Sequence, residues 1–138
     1  MIVRKLSEAK PYEAPNHRDY KSLRVFGAEM GGSQSLIFGI SHFLPGGGAG
    51  PDASPPEKIY YVLAGELTVI TGGEETVVRA GDSCYIGPNE AREIVNRGNE
   101  VCTIAVASGW SLAWVSCPMT LTFFSTNHSP AEDTKPGA

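Results

Sequence analysis

Two stretches decide the fold: Ser54-Pro55-Pro56-Glu57-Lys58-Ile59-Tyr60-Tyr61-Val62-Leu63-Ala64-Gly65-Glu66-Leu67, and, with fifteen residues between Gly65 and Gly81, Gly81-Asp82-Ser83-Cys84-Tyr85-Ile86-Gly87-Pro88-Asn89-Glu90-Ala91-Arg92. Residues 58–63 are β-branched and aromatic, the composition of a strand. Gly65 ends that strand. Residues 66–71 read as the next, and Gly72-Gly73 turns it back into residues 75–79. Gly81-Asp82 turns into residues 83–86, Gly87-Pro88-Asn89 into 91–96, and Arg97-Gly98-Asn99-Glu100 into 101–107. Turns about eight to twelve residues apart predict the meander of a β-sandwich or barrel. No ten-residue stretch shows a helical period.

Working outward, residues 34–44 are a further strand candidate rich in Leu, Ile and Phe, and residues 22–30 another, ended by Gly31-Gly32. Residues 10–17 read as a loop, and Pro45-Gly46-Gly47-Gly48-Ala49-Gly50-Pro51 is expected to break all regular structure. Residues 110–115 and 120–124 are apolar enough for late strands. One domain over residues 1–125 and a flexible tail over 126–138 are expected. Sixteen Gly and ten Pro, 26 of 138 residues, exclude a helical bundle. A 41% apolar content excludes a disordered chain. Eleven basic against fifteen acidic residues, net −4 with no basic cluster, argue against a nucleic-acid partner. No apolar run approaches the roughly eighteen residues of a membrane span. Residues 1–7 lack the apolar core of a signal peptide, so a cytoplasmic location is expected. Cys84, Cys102 and Cys117 form no CxxC pair and read as free, buried thiols.

The two quoted stretches, together with Asn96 and the leading Pro45-Gly46-Gly47, resemble the two motifs of the cupin family over roughly residues 36–107. The resemblance implies an all-β, single cupin-like β-barrel (a double-stranded β-helix, or jelly roll) and a homodimer. It also implies one metal, held by His-x-His, a following Glu and a His in the second motif. Aligned back from Gly65, the two histidine places fall on Asp52 and Ser54, and the glutamate place falls on Lys58. Counted from Gly81 or Asn96, the last histidine place falls on Arg92. None of the four usual ligand types is kept. Glu57 is one residue off, and in a strand that offset points a side chain to the other face. Two cations at a metal site repel a divalent ion by several kcal/mol, so no metal and no other cofactor is expected. A rebuilt metal site from His42, His17 or Glu57, with oxygenase chemistry, is the outlying alternative.

If Lys58 points inward, period-two alternation sends Tyr60 inward with it, and Arg92 brings Ile94. The pocket then holds two cations, a carboxylate, a phenol and apolar walls, which suits a small organic anion. Desolvation and the neighbouring Arg92 lower the pKa of Lys58, making it a proton-transfer group. Asp52 is a second such group, and Tyr60 can donate to a developing enolate. His42, among apolar residues on the strand before the Gly-rich run, is either a satisfied, partly buried histidine or, facing inward, a general base. The expected machinery is therefore Lys58, Asp52, Tyr60 and His42 for catalysis, with Arg92, Ser54 and Ile94 binding substrate. The predicted function is a metal-independent lyase or isomerase acting on a small anion by proton transfer, decarboxylation or dehydration. The alternatives are a non-catalytic anion-binding module and a barrel whose Lys58–Asp52 pair merely plugs the old cavity.

Overall fold

The computed structural model describes residues 1–109. Nine strands form within them: β1 (Lys10–Tyr12), β2 (His17–Phe26), β3 (Leu36–Asp52), β4 (Glu57–Ala64), β5 (Glu66–Thr71), β6 (Glu74–Arg79), β7 (Ser83–Ile86), β8 (Arg92–Val95) and β9 (Cys102–Gly109). All pairings are antiparallel. The order is β6-β5-β8-β3-β9-β4-β7, with β2 also on β3 and β1 on β2. The sheet curls into a nearly closed barrel, the all-β jelly roll that the meander predicts. No helix among the described residues is long and apolar enough to cross a membrane.

The alternation that organises the barrel is clearest in β4. Tyr60 and Val62 are buried while Ile59, Tyr61 and Leu63 are exposed, so one face of the strand packs inward. Those inward side chains join Phe43, Leu67, Ile94, Ile104 and Cys102 in one core. Burial pushes the thiol of Cys84 up and that of Cys102 up to about 11, as befits inert, packed thiols.

The glycine-rich run corrects the sequence reading. Instead of breaking structure, it carries β3 through a corner. Residues 36–43 of β3 pair with β9, and residues 48–52 pair with β8, so one continuous strand serves both halves of the barrel. Glycine is needed because backbones meet there: a Cβ on Gly47 would lie 2.4 Å from the Asp19 carbonyl oxygen. The N-terminal loop reading is also corrected. Residues 10–12 form β1, and β2 starts at His17, well before the expected residue 22. The late strands at 110–115 and 120–124, the domain boundary at 125, Cys117 and the tail at 126–138 lie outside the described residues.

Asn96 locks the corner. Its amide nitrogen donates to the carbonyls of Phe43 (2.9 Å) and Glu100 (2.8 Å), and its oxygen accepts from Gly98 N (2.9 Å), all in a fully buried position. Asn96→Ala is expected to cost about 2–3 kcal/mol, because several interior polar groups lose partners at once. Chemical denaturation reads this as a lower midpoint with an unchanged slope; an unchanged midpoint would disprove it.

Candidate functional site

The inner face encloses a cavity of about 200 Å³ between β3, β4, β8 and β9, walled on one side by the β1–β2 connection. Drug-sized ligand pockets run to roughly 300–1,000 Å³, so this one suits a molecule of a few heavy atoms. Phe43, Ile94, Ile104 and Val106 make apolar walls, and Asp52, Lys58 and Arg92 bring charge into it.

Arg92 opens β8 and faces Asp52 across the ladder, brought opposite by a register shift after Ala49. Its guanidinium is 6% exposed. Nε donates to the Tyr60 hydroxyl at 2.9 Å. Nη1 donates to the Asp52 carbonyl at 3.3 Å and lies 3.9 Å from Oδ2 of the same residue. Nη2 has no hydrogen-bond partner among the described residues, and Arg92 lines the cavity. The Asp52 carboxylate accepts from Ala53 N at 2.8 Å through Oδ1.

Lys58 Nζ donates to Ser54 Oγ and, at 3.4 Å, to the Pro56 carbonyl. Burial holds its ammonium below the ordinary lysine range; Arg92 adds to the effect and Asp52 opposes it. Burial likewise pushes the Tyr60 phenol up, with Arg92 opposing, so Tyr60 keeps its proton.

Asp52, Ser54, Lys58, Tyr60, Arg92 and Ile94 therefore all line one cavity. His42 does not, which corrects its candidacy as a base. Its neighbours Ser41 and Phe43 line the cavity, so the alternation of β3 turns His42 outward, where Nδ1 meets Thr103 Oγ1 at 3.0 Å. Glu57 points to the other face, where its carboxylate accepts from the Tyr85 hydroxyl at 2.6 Å. The sequence offers His17 only as a ligand of a rebuilt metal site, yet His17 lines the cavity from the start of β2. No spacing signal announces this, because the pairing of His17 with Ala49 is long-range.

The donor set does not fit the metal that the resemblance implies. The four ligand places hold one carboxylate, one hydroxyl and two cationic groups, and a guanidinium offers no lone pair. Among the described residues, no three His, Cys, Asp or Glu side chains gather to hold an ion.

Comparison with known proteins agrees with this fold. The family model described as Cupin domain matches residues 39–108. A β-D-galactosidase of Mycobacterium tuberculosis is 34% identical over 116 residues, covering 84% of this chain and 100% of that one. An oxalate-binding protein of Thermotoga maritima is 30% identical over 104 residues, covering 72% of this chain and 85% of that one. The polyketide cyclase RemF of Streptomyces resistomycificus superposes with a TM-score of 0.70 at 17% identity, over 80% of each chain, a likeness of fold alone. With the family model spanning the barrel and its motifs on the cavity wall, the chain belongs to the cupin family.

Proposed function

We propose that the cavity binds a small organic carboxylate through Arg92, and that the protein is a lyase or isomerase moving a proton on that ligand with Lys58 as the proton-transfer group. The observation that carries this reading is the convergence of the buried Arg92 guanidinium and the half-buried Lys58 side chain on one small, apolar-walled cavity. Charged hydrogen bonds are stronger in such a place than in water. The relative named as oxalate-binding supports an anionic ligand.

In this reading Arg92 holds the carboxylate through Nη2. Lys58, with its pKa depressed, takes a proton from the carbon next to a carbonyl, and the C–H electron pair moves onto oxygen as an enolate. The Tyr60 hydroxyl, which already accepts from Arg92 Nε, still has its own proton to donate to that oxygen. Return of the proton gives an isomer, and departure of a leaving group gives an elimination product. Lys58→Gln is expected to lower turnover about a hundredfold, the scale of one general acid–base group, with affinity changed only a few-fold. Equal losses in kcat and affinity would make Lys58 a binding residue only.

The galactosidase relative favours a second reading, glycoside hydrolysis, since its whole length aligns with this chain. Glycosidases of the usual kind flank the scissile bond with two carboxylates, whereas Asp52 is the single carboxylate lining the cavity among the described residues. Thermal-shift titration with acetate, pyruvate and glycolate, beside a nitrophenyl β-galactoside assay, separates the readings. Stabilisation by carboxylates is the expected result; galactoside turnover with no carboxylate shift would replace the first reading with the second.

A further inference from the structure

We infer that Nε2 of His17 is a hydrogen-bond acceptor that selects a ligand carrying a hydroxyl beside its carboxylate, a 2-hydroxy acid. This rests on the anion-binding reading and deepens it.

The ring is held on several sides. Its Nδ1 lies 2.7 Å from the Pro15 carbonyl, and it stacks on Phe43 with centroids 6.1 Å apart and planes at 24°. The loop that carries it is pinned as well. The Tyr20 hydroxyl accepts from Ala14 N at 2.9 Å and donates to Ala14 O at 3.2 Å. Asn16 Nδ2 donates to Pro51 O at 2.9 Å, and Gly50 N donates to Asn16 O at 2.9 Å. The position of the imidazole is thus set by backbone and packing before any ligand arrives.

The tautomer follows from the partner. A carbonyl oxygen only accepts, so Nδ1 carries the proton, and in the neutral ring Nε2 is left with a lone pair. Nε2 has no hydrogen-bond partner among the described residues, and His17 lines the cavity, so a ligand there can meet it. Burial holds the ring below the ordinary histidine value, chiefly by desolvation. Its bond to Pro15 and the charge of Asp52 oppose this, and Arg92 and Arg18 reinforce it.

The cavity therefore has two poles. Arg92, Lys58 and Tyr60 offer donors, and a ligand carboxylate satisfies them. His17 offers an acceptor, and a second carboxylate there would set lone pair against lone pair. A hydroxyl donates to it. His17 also lies outside the stretch matched by the family model, residues 39–108, so this selectivity is an addition of the N-terminal hairpin to the barrel.

The test is calorimetric binding of glycolate, acetate and oxalate to the full chain and to His17→Phe near neutral pH. Wild type is expected to bind glycolate about tenfold tighter than acetate, the worth of one net hydrogen bond, and more tightly than oxalate. His17→Phe is expected to bring the glycolate-to-acetate ratio to about one while acetate affinity stays within about twofold. A ratio that survives the substitution overturns the inference, as does oxalate outranking glycolate in wild type. A pH series on wild type covers the case where His17→Phe folds poorly. Protonation turns Nε2 into a donor, so the ratio is expected to fall as the pH is lowered from about 8 until NMR shows the His17 ring protonated, and a ratio unchanged on protonation overturns the inference. If none of the three acids binds, the anion reading itself fails. If acetate and glycolate bind equally, only the role of His17 does.

Discussion

Arg92→Met is expected to weaken carboxylate binding about a thousandfold, the largest functional effect of any single substitution in the cavity. Truncating one partner of a desolvated, hydrogen-bonded charge pair costs about 2–5 kcal/mol, and Arg92 is 6% exposed with no hydrogen-bond partner for Nη2 among the described residues. The fold should tolerate the change. Met matches the volume, the desolvation cost of a buried cation disappears, and Asp52 is exposed enough at 39% to be met by water. Arg92→Lys separates charge from geometry: it keeps a cation but loses the fork and the bond to Tyr60, and an intermediate affinity is expected. Titration calorimetry with acetate checks both variants. Affinity within about threefold of wild type in Arg92→Met would remove Arg92 from the binding machinery. A second readout comes from Lys58. Arg92 is one of the two causes that lower its pKa, after burial, so removing the guanidinium moves that pKa back up. The acidic limb of an activity profile in which Lys58 is the base then shifts to higher pH in Arg92→Met.

The inward set was legible where glycine turns anchor a strand and apolar contrast marks its faces. Gly65 and Gly81 both have positive φ, at 80° and 93°, conformations that fix where β4 ends and where the turn into β7 lies. With those ends set, period two places Lys58, Tyr60, Arg92 and Ile94 on the inner face, where the structure has them. His42 was illegible because its neighbours carry no contrast. Gly39 is small because β2 crosses there, with the Leu23 carbonyl oxygen 2.6 Å from where a Cβ would sit. Ser41 faces inward although polar, satisfied by the Ser22 hydroxyl at 2.8 Å. A buried serine pair looks like surface in a sequence, so the parity of β3 was lost. His17 failed for a different reason. Its place depends on pairing across the barrel, and loop-like composition in residues 10–17 hid the hairpin that presents it.

Gly48→Ala is expected to be the most destabilising single-methyl substitution among the described glycines, with a loss above about 4 kcal/mol, in the range reserved for gross steric conflict. Gly48 sits where β3 leaves the corner, paired with Val95 on one side and with Arg18 on the other. An added Cβ would lie 2.1 Å from the Ile94 carbonyl oxygen, 3.0 Å from the Val95 Cα and 3.1 Å from the Ile94 carbonyl carbon. All three are backbone atoms, so no rotamer change relieves the clash, and a strand must move. Movement of β8 would carry Arg92 and Ile94 with it, since β8 spans only Arg92–Val95. The substitution therefore tests more than stability. If any folded Gly48→Ala protein is recovered, its carboxylate affinity should fall as well, although residue 48 itself contributes no side chain. Gly87→Ala serves as the control, because its nearest neighbour to an added Cβ is the Glu90 carboxylate at 3.5 Å, ordinary contact distance. Urea denaturation of the two variants side by side decides it. A Gly48→Ala midpoint close to that of Gly87→Ala would mean that the corner is looser than its backbone spacing states. A collapsed midpoint for Gly48→Ala alone would show that the glycine run exists to let three strands meet at the wall of the cavity.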